Sequence, residues 1–414
     1  MKVLVVNGGS STFKCWFHEL PPGPPPVEAP RPLWEAHVEW NGGAGAATAR
    51  VRAANGGAAE FTRPAASLVE PLASVLESLW SGDARVIASP DEIDVVGHRI
   101  VHGGRAYRET TRLTPEVRKA IGRQAEFAPS HNRFELEAVE SVDRALGANV
   151  EQIAVFDTAF HATLEPAAYV YPGPLEWLHQ EVRRYGFHGI SYQYATRQAA
   201  QILGAPVESL KLIVCHLGNG GSLAAVRGGK SVDTTMGFTP LEGLMMGSRS
   251  GSIDPGILIY LLRHCGYAAD QLDHILNRES GLLGISGRSG DMREILEAIS
   301  AGDTRAQLAF DIYAHRLCRE AGAMLAVLGG VDALVFTGGI GENCALLRER
   351  LCRQFAFAGV RLEADRNERN LRDSDIAARD SSVRVVVVHA EEEWEIAREC
   401  HRLLSNPSVQ PLCR

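Results

Sequence analysis

Residues 7–14, Asn7-Gly8-Gly9-Ser10-Ser11-Thr12-Phe13-Lys14, combine glycines, hydroxyls and a lysine, the ingredients of a phosphate cradle. Glycines let backbone N–H groups close on an anion, and a lysine adds charge. The run lacks the G-x-x-x-x-G-K-[ST] spacing and leads into a strand rather than a helix, which excludes a P-loop. Standing alone, it reads best as a polar hairpin with a surface lysine. A second run, Thr337-Gly338-Gly339-Ile340-Gly341-Glu342-Asn343, follows an apolar strand-like segment and opens a predicted helix, where small residues admit a nucleotide to the backbone. It contains no G-x-G-x-x-G, so a mononucleotide site is favoured over a dinucleotide fold. Lysine is scarce: Lys2, Lys14, Lys119, Lys211 and Lys230 are the only ones, which gives Lys14 weight.

The elements that would position these residues alternate between strand and helix. Ile93–Val96, Ile153–Phe156, Leu212–His216, Ala333–Thr337 and Val383–His389 are apolar or β-branched runs typical of central strands, with helical stretches between, so the class is α/β. Trp34–Trp40 and Thr48–Ala53 read as strands around Asn-Gly-Gly turns. Helical spacing of Leu68, Leu72, Val75, Leu76 and Leu79 predicts a helix over 65–80. Seven prolines between Pro21 and Pro32 predict an extended surface loop.

At 414 residues the chain exceeds what one hydrophobic core usually serves, and two domains are expected. A net charge of −8 supplies no global field to gather nucleic acid or an acidic membrane. Met1–Val6 is shorter than a signal h-region, and no apolar run reaches the ~18 residues of a membrane span, so a cytoplasmic location is expected. The eight cysteines are scattered without a C-x-x-C pair; they read as reduced thiols, and a zinc site is not expected. One tetrapeptide recurs: Asn7-Gly8-Gly9-Ser10 and Asn219-Gly220-Gly221-Ser222 each lie between two strand-like runs, about half the chain apart. Two unrelated tight turns would explain this, but so would two duplicated halves whose glycine turns converge on an anion.

Further blocks sharpen the picture. Gly97-His98-Arg99, Val101-His102-Gly103-Gly104, Phe156-Asp157-Thr158-Ala159-Phe160-His161, Arg184-Tyr185-Gly186-Phe187-His188-Gly189, His216-Leu217-Gly218-Asn219-Gly220, Met236–Asp254 and Gly338–Asn343 stand in one order along nearly the whole chain. Together with Asn7–Lys14 they closely resemble the acetate kinase (acetate/propionate kinase) family. The resemblance implies two duplicated actin-like domains, of the acetate and sugar kinase, heat-shock-cognate and actin superfamily, around a central nucleotide cleft. Their expected bounds are 1–157 plus 391–414, holding the magnesium and carboxylate residues, and 158–390, holding the ATP motifs. It implies reversible transfer of the ATP γ-phosphoryl group to acetate, giving acetyl phosphate and ADP, with Mg2+ (Mn2+ as the alternative) and a homodimer.

By that resemblance Arg99 positions the carboxylate, Arg249 and His188 stabilise the transition state, and Asp157 and His131 lie at the catalytic centre. Arginine forks and an imidazole suit this chemistry, in which two anions must meet and phosphoryl charge must be neutralised; an ordinary ion pair is the alternative for any arginine taken singly. A carboxylate acceptor is already ionised, so Asp157 is expected to orient rather than act as a base. Lys14, His216, Leu217, Gly218, Asn219, Gly220, Asp291, Met292, Arg293, Gly339, Ile340, Gly341, Glu342 and Asn343 are implied around ATP, and Asn7 and Glu392 around the metal. The carboxylate recess would be Val101, Ser130, Phe187 and Pro240. Ser130 stands where the family usually has leucine, which opens propionate, butyrate or a hydroxy acid as alternatives. Arg133, Ile190, Tyr192 and Ser252 are further departures. From a different class, a nucleotide-gated binding protein without catalysis is the rival on the same fold.

Overall fold

The computed structural model describes residues 1–414 except 10–11, 27, 42–44, 66, 68, 125–131, 148, 370 and 406–414, and except the side chain of Asn41. Two compact units divide the chain: Met1–Ala159 with Glu391–Arg414, and Phe160–Ala390.

The first unit is built on β1 (Lys2–Gly8), β2 (Thr12–Glu19), β3 (Trp34–Asn41), β4 (Ala46–Ala53), β5 (Ala58–Pro64), β6 (Val95–Ile100), β7 (Thr111–Arg112) and β8 (Glu151–Phe156), in the sheet order β5-β4-β3-β2-β1-β6-β8-β7. β1 runs antiparallel to β2 and parallel to β6, which runs parallel to β8. Side chains alternate across the pleat, so Leu4 and Val6 enter a core with Phe13, Phe17, Trp34, Leu72 and Val142. The other face of β1 and β6 is covered by the helix Glu392–Ser405, whose Trp394, Ile396 and Cys400 are buried. Gly97 makes this approach possible, since a Cβ there would lie 2.6 Å from Cys400 Sγ and 2.7 Å from Ile396 Cγ2.

In the second unit the strands are β9 (Lys211–Leu217), β10 (Gly221–Arg227), β11 (Lys230–Thr234), β12 (Ala333–Thr337), β13 (Ser374–Asp375) and β14 (Arg384–Val387), ordered β11-β10-β9-β12-β14-β13. This matches β3-β2-β1-β6-β8-β7 strand for strand, including which neighbours are parallel and which antiparallel. The duplication is therefore present in topology. Ile213, Cys215 and Leu217 join a core with Phe310, Tyr313 and Leu317 of the helix Thr304–Leu328, and the alternate residues turn to the opposite face, along which the helix Gly189–Leu203 lies.

The repeated tetrapeptide does not occupy equivalent places. Asn7 is still in β1, paired with Lys14, whereas Asn219 sits in the turn between β9 and β10. The helix expected over 65–80 is confined, among the described residues, to Leu72–Glu77; β5 extends to Pro64, and the Ser78 hydroxyl closes the helix by donating to Val75 O at 2.6 Å. The segment rich in proline carries neither helix nor strand among its described residues, and Arg398 Nη1 donates to Pro26 O at 2.6 Å. Cys15, Cys215, Cys265, Cys318, Cys344, Cys352 and Cys400 are free thiols. Among the described residues no helix is long and apolar enough to cross a membrane.

Candidate active site

In the first unit, strand register gathers the charged groups. Val3 faces Val95 and Val5 faces Gly97, so continuing by two residues sets Asn7 beside Arg99; Arg99 in turn pairs with Val155, two residues before Asp157. All three therefore share one face at the carboxyl ends of parallel strands, where α/β sheets bind ligands. Arg99 donates from Nε (3.1 Å) and Nη2 (2.6 Å) to Asp157 Oδ2, and from Nη1 to Gly8 O (3.1 Å). Asp157 is buried, and this contact with a cation answers the cost of placing its carboxylate there. Burial alone would make Arg99 easier to deprotonate, but Asp157 and Glu392 outweigh it and hold the guanidinium above its already high value.

Asn7 Nδ2 donates to Glu393 Oε1 at 3.2 Å and to Glu392 Oε2 at 3.5 Å. Lys14 Nζ lies 3.6 Å from Glu393 Oε1, and Glu393 raises the lysine against the effect of burial. Glu393 is thus compensated by Lys14. An amide carbonyl and a glutamate are hard oxygen donors that suit a divalent ion retaining most of its waters, and rotating the Asn7 amide presents its oxygen to Glu392. Among the described residues no group of three or more His, Cys, Asp or Glu side chains is placed to hold a metal. Val101, directly after β6, is buried. Ser130 and His131 lie outside the described residues.

In the second unit, His188 sits in the left-handed region (φ 60°) at the start of the helix Gly189–Leu203. Its Nδ1 is 2.8 Å from Ser222 Oγ, which is 2.5 Å from the Tyr192 hydroxyl, so its orientation is fixed from behind. The His188 and His216 rings stack with centroids 4.2 Å apart, and His216 Nδ1 is held by Ser191 Oγ at 2.8 Å. Arg249 Nη1 donates to Pro240 O at 2.7 Å. A Cβ on Gly220 would fall 2.7 Å from Arg249 Nη2 and 3.5 Å from His188 Nε2, so glycine is what lets the β9–β10 turn meet both groups. Among the described residues no carboxylate pairs with Arg249; burial, helped by the charge of Arg278, pushes it down to about 10, still fully charged near neutrality. Phe187 is buried beside His188.

A cavity of about 650 Å³ in this unit is lined by Gly218, Asn219, Gly290, Asp291, Met292, Arg293, Leu296, Gly339, Ile340, Asn343 and Cys344. It joins the β9–β10 turn to the segments expected around adenosine. Asp291 caps the helix Met292–Ser300 and pairs with Arg293 (2.5 Å). Leu217 and Gly341 turn into the core. Glu342 also turns away: its Oε2 is 2.6 Å from His389 Nδ1 and its Oε1 accepts from Ala390 N at 3.1 Å. Burial tends to raise this carboxyl, but the His389 contact prevails and holds it below its usual value. Sequence reasoning passed over Ser222, Ser191 and Tyr192 as partners of the two histidines, although Ser222 ends the repeated tetrapeptide; Cys344 and Leu296 left no signal.

The acetokinase family model matches residues 2–398, so the chain belongs to the acetokinase family. An acetate kinase of Gloeobacter violaceus is 57% identical over 400 residues, covering 97% of this chain and 98% of the relative. Among solved structures, Porphyromonas gingivalis acetate kinase matches with a TM-score of 0.87 at 38% identity, covering 97% of this chain and 99% of that one. A propionate kinase from Francisella tularensis matches with a TM-score of 0.86 at 33% identity, covering 96% and 98%. The duplicated actin-like α/β fold follows from these likenesses and from the strand orders above.

Proposed function

From membership of that family we propose that the chain is an acetate kinase, transferring the γ-phosphoryl group of ATP to acetate and running in reverse from acetyl phosphate and ADP. A carboxylate oxygen attacks the γ-phosphorus in line, the new P–O bond forms as the bond to ADP breaks, and the electron pair leaves on the ADP oxygen; no proton need move. Arg249 and His188 donate to the phosphoryl oxygens as their charge redistributes, with Ser222 and Tyr192 holding the imidazole. The Gly218-Asn219-Gly220 turn and the cavity beside it take the phosphates and nucleoside. Arg99, braced by Asp157, turns the acetate oxygen toward phosphorus, with the buried Val101 following it on the same strand end. A divalent ion, magnesium before manganese, would be held by Asn7 and Glu392 and would neutralise phosphate charge.

The observation that carries this reading is Arg249: a half-buried guanidinium with no carboxylate paired to it among the described residues, packed with His188 against a glycine turn, is a site built for an anion supplied from outside. Hydroxamate trapping of the acyl phosphate, with ATP, magnesium and a panel of acetate, propionate, butyrate and a hydroxy acid, tests it. Highest kcat/KM for acetate is expected; no acyl phosphate from any acid would refute the assignment. Acetate is preferred over propionate because the Gloeobacter relative is far more similar than the propionate kinase.

The working form is proposed as a homodimer in the cytoplasm, where ATP and small carboxylates are at hand. The helix Pro255–His264 supports the dimer: it has no buried residue, and Ile257, Ile259, Tyr260 and Leu262 are each at least 45% exposed.

A further inference from the structure

Glu135, on the helix Asn132–Leu146, has 4% of its surface exposed. Both its carboxyl oxygens face one donor, the Val101 N–H, at 3.2 and 3.0 Å. No lysine or arginine pairs with it among the described residues, in contrast to Asp157, which holds Arg99. Val101 is the residue after β6, two positions beyond Arg99, so Glu135 fastens the end of the strand that carries the carboxylate-binding arginine. Among the described residues, the charged groups whose fields reach it are Arg99 on β6 and Asp157 at the end of β8.

Charge counting decides its state. Among the described residues Arg99 has one buried counter-ion in Asp157 and Glu135 one hydrogen-bond donor; a second ionised carboxylate would leave these three groups net negative before any substrate arrived, in surroundings where so sparsely bonded an ion is costly. We propose that Glu135 is a positioning residue of the carboxylate site: it holds Val101 and the end of β6 as the neutral acid, and its ionisation sets an alkaline limit on acetate binding by offsetting the charge of Arg99. Burial, only partly opposed by Arg99 and the Val101 N–H, pushes this carboxyl up to about 8, which places the limit just above neutrality. The inference rests on the reading of Arg99 given under Proposed function.

Glu135→Gln keeps a carbonyl acceptor for Val101 N–H, Glu135→Asn withdraws it by one methylene, and neither can ionise. In the wild type the KM for acetate is expected to rise roughly tenfold between pH 7 and pH 9, while in both variants it stays flat over that range. A merely structural role would shift KM without changing its pH profile. Independently of turnover, infrared difference spectra of the free protein should show a protonated carboxyl band that disappears as pH passes through this range and is missing in Glu135→Gln. Absence of that band from the wild type, or an alkaline rise of KM retained in both folded variants, overturns the assignment. If the wild type shows the band but forms no acetyl phosphate at any pH, the acetate kinase reading falls, and the role of Glu135 falls with it.

Discussion

Arg249 and Arg99 are the same residue type in opposite circumstances. Arg99 is held by a carboxylate and a backbone carbonyl, whereas Arg249, among the described residues, has only the Pro240 carbonyl. Replacing Arg249 by alanine is expected to lower kcat about 10²–10³-fold, the order seen when one transition-state donor is lost, and to reduce the rise in melting temperature produced by ATP. Unchanged turnover in a folded Arg249→Ala protein would remove the role. Asp157→Asn should cost roughly 10²-fold in kcat/KM for acetate by releasing Arg99 from its aim, measurable in the same trapping assay. Buried histidines make a separate prediction. Burial pushes His98 and His161 down to about 4. The unfolded chain therefore binds more protons between pH 6.5 and 4, so stability drops as pH falls through that window, by on the order of 3 kcal/mol per histidine at full effect. Urea unfolding from pH 7 to 4 should show this decline, and His98→Gln should lessen it. Arginines and histidines of this kind are recognisable in the sequence only through their motifs. Nothing in the residue string tells that Asp157 answers Arg99 while, among the described residues, no carboxylate answers Arg249, because both facts arise from strand register and from the fold of a distant loop.

At the level of elements, the central strands were legible because burial on both faces leaves an uninterrupted apolar run; Ala333–Thr337 coincides with β12 residue for residue. The short helix Leu72–Glu77 was less so, since apolar spacing continues through Leu79 while the Ser78 hydroxyl ends the helix first. Turn geometry was legible in kind but not in register: the two Asn-Gly-Gly runs sit differently in their hairpins, the first meeting Arg99 through the Gly8 carbonyl and the second bringing Gly220 against Arg249 and His188. Gly220→Ala should accordingly depress kcat while sparing stability, because the atom it strikes is the free end of the Arg249 side chain. Gly97→Ala should do the reverse. Its Cβ would strike Ile396 and Cys400, an overpacking expected to cost about 1–3 kcal/mol in denaturant unfolding. Equal destabilisation by the two substitutions would contradict this division.

For the whole molecule, the two strand orders repeat, while the flanking elements diverge; β4 and β5 extend one sheet only. The duplication was legible from the family blocks, while the repeated tetrapeptide pointed to it from places that are not equivalent; the exposed helix Pro255–His264 was not singled out, since an apolar run looks the same whether it meets its own core or another copy. Ile259→Glu is expected to shift the protein from dimer to monomer in analytical ultracentrifugation; a wild type that sediments as a monomer would refute the proposed interface.

The helix Glu392–Ser405 has a consequence for how this molecule comes into being. Its Trp394, Ile396 and Cys400 cover β1 and β6, strands that precede it by most of the chain. As the ribosome synthesises from the amino end, the second unit emerges in full while the first still lacks its covering helix and shows a bare greasy face. Nascent chains stalled before residue 392 should accordingly attract chaperones that recognise such faces, and release of the last turns should end that dependence.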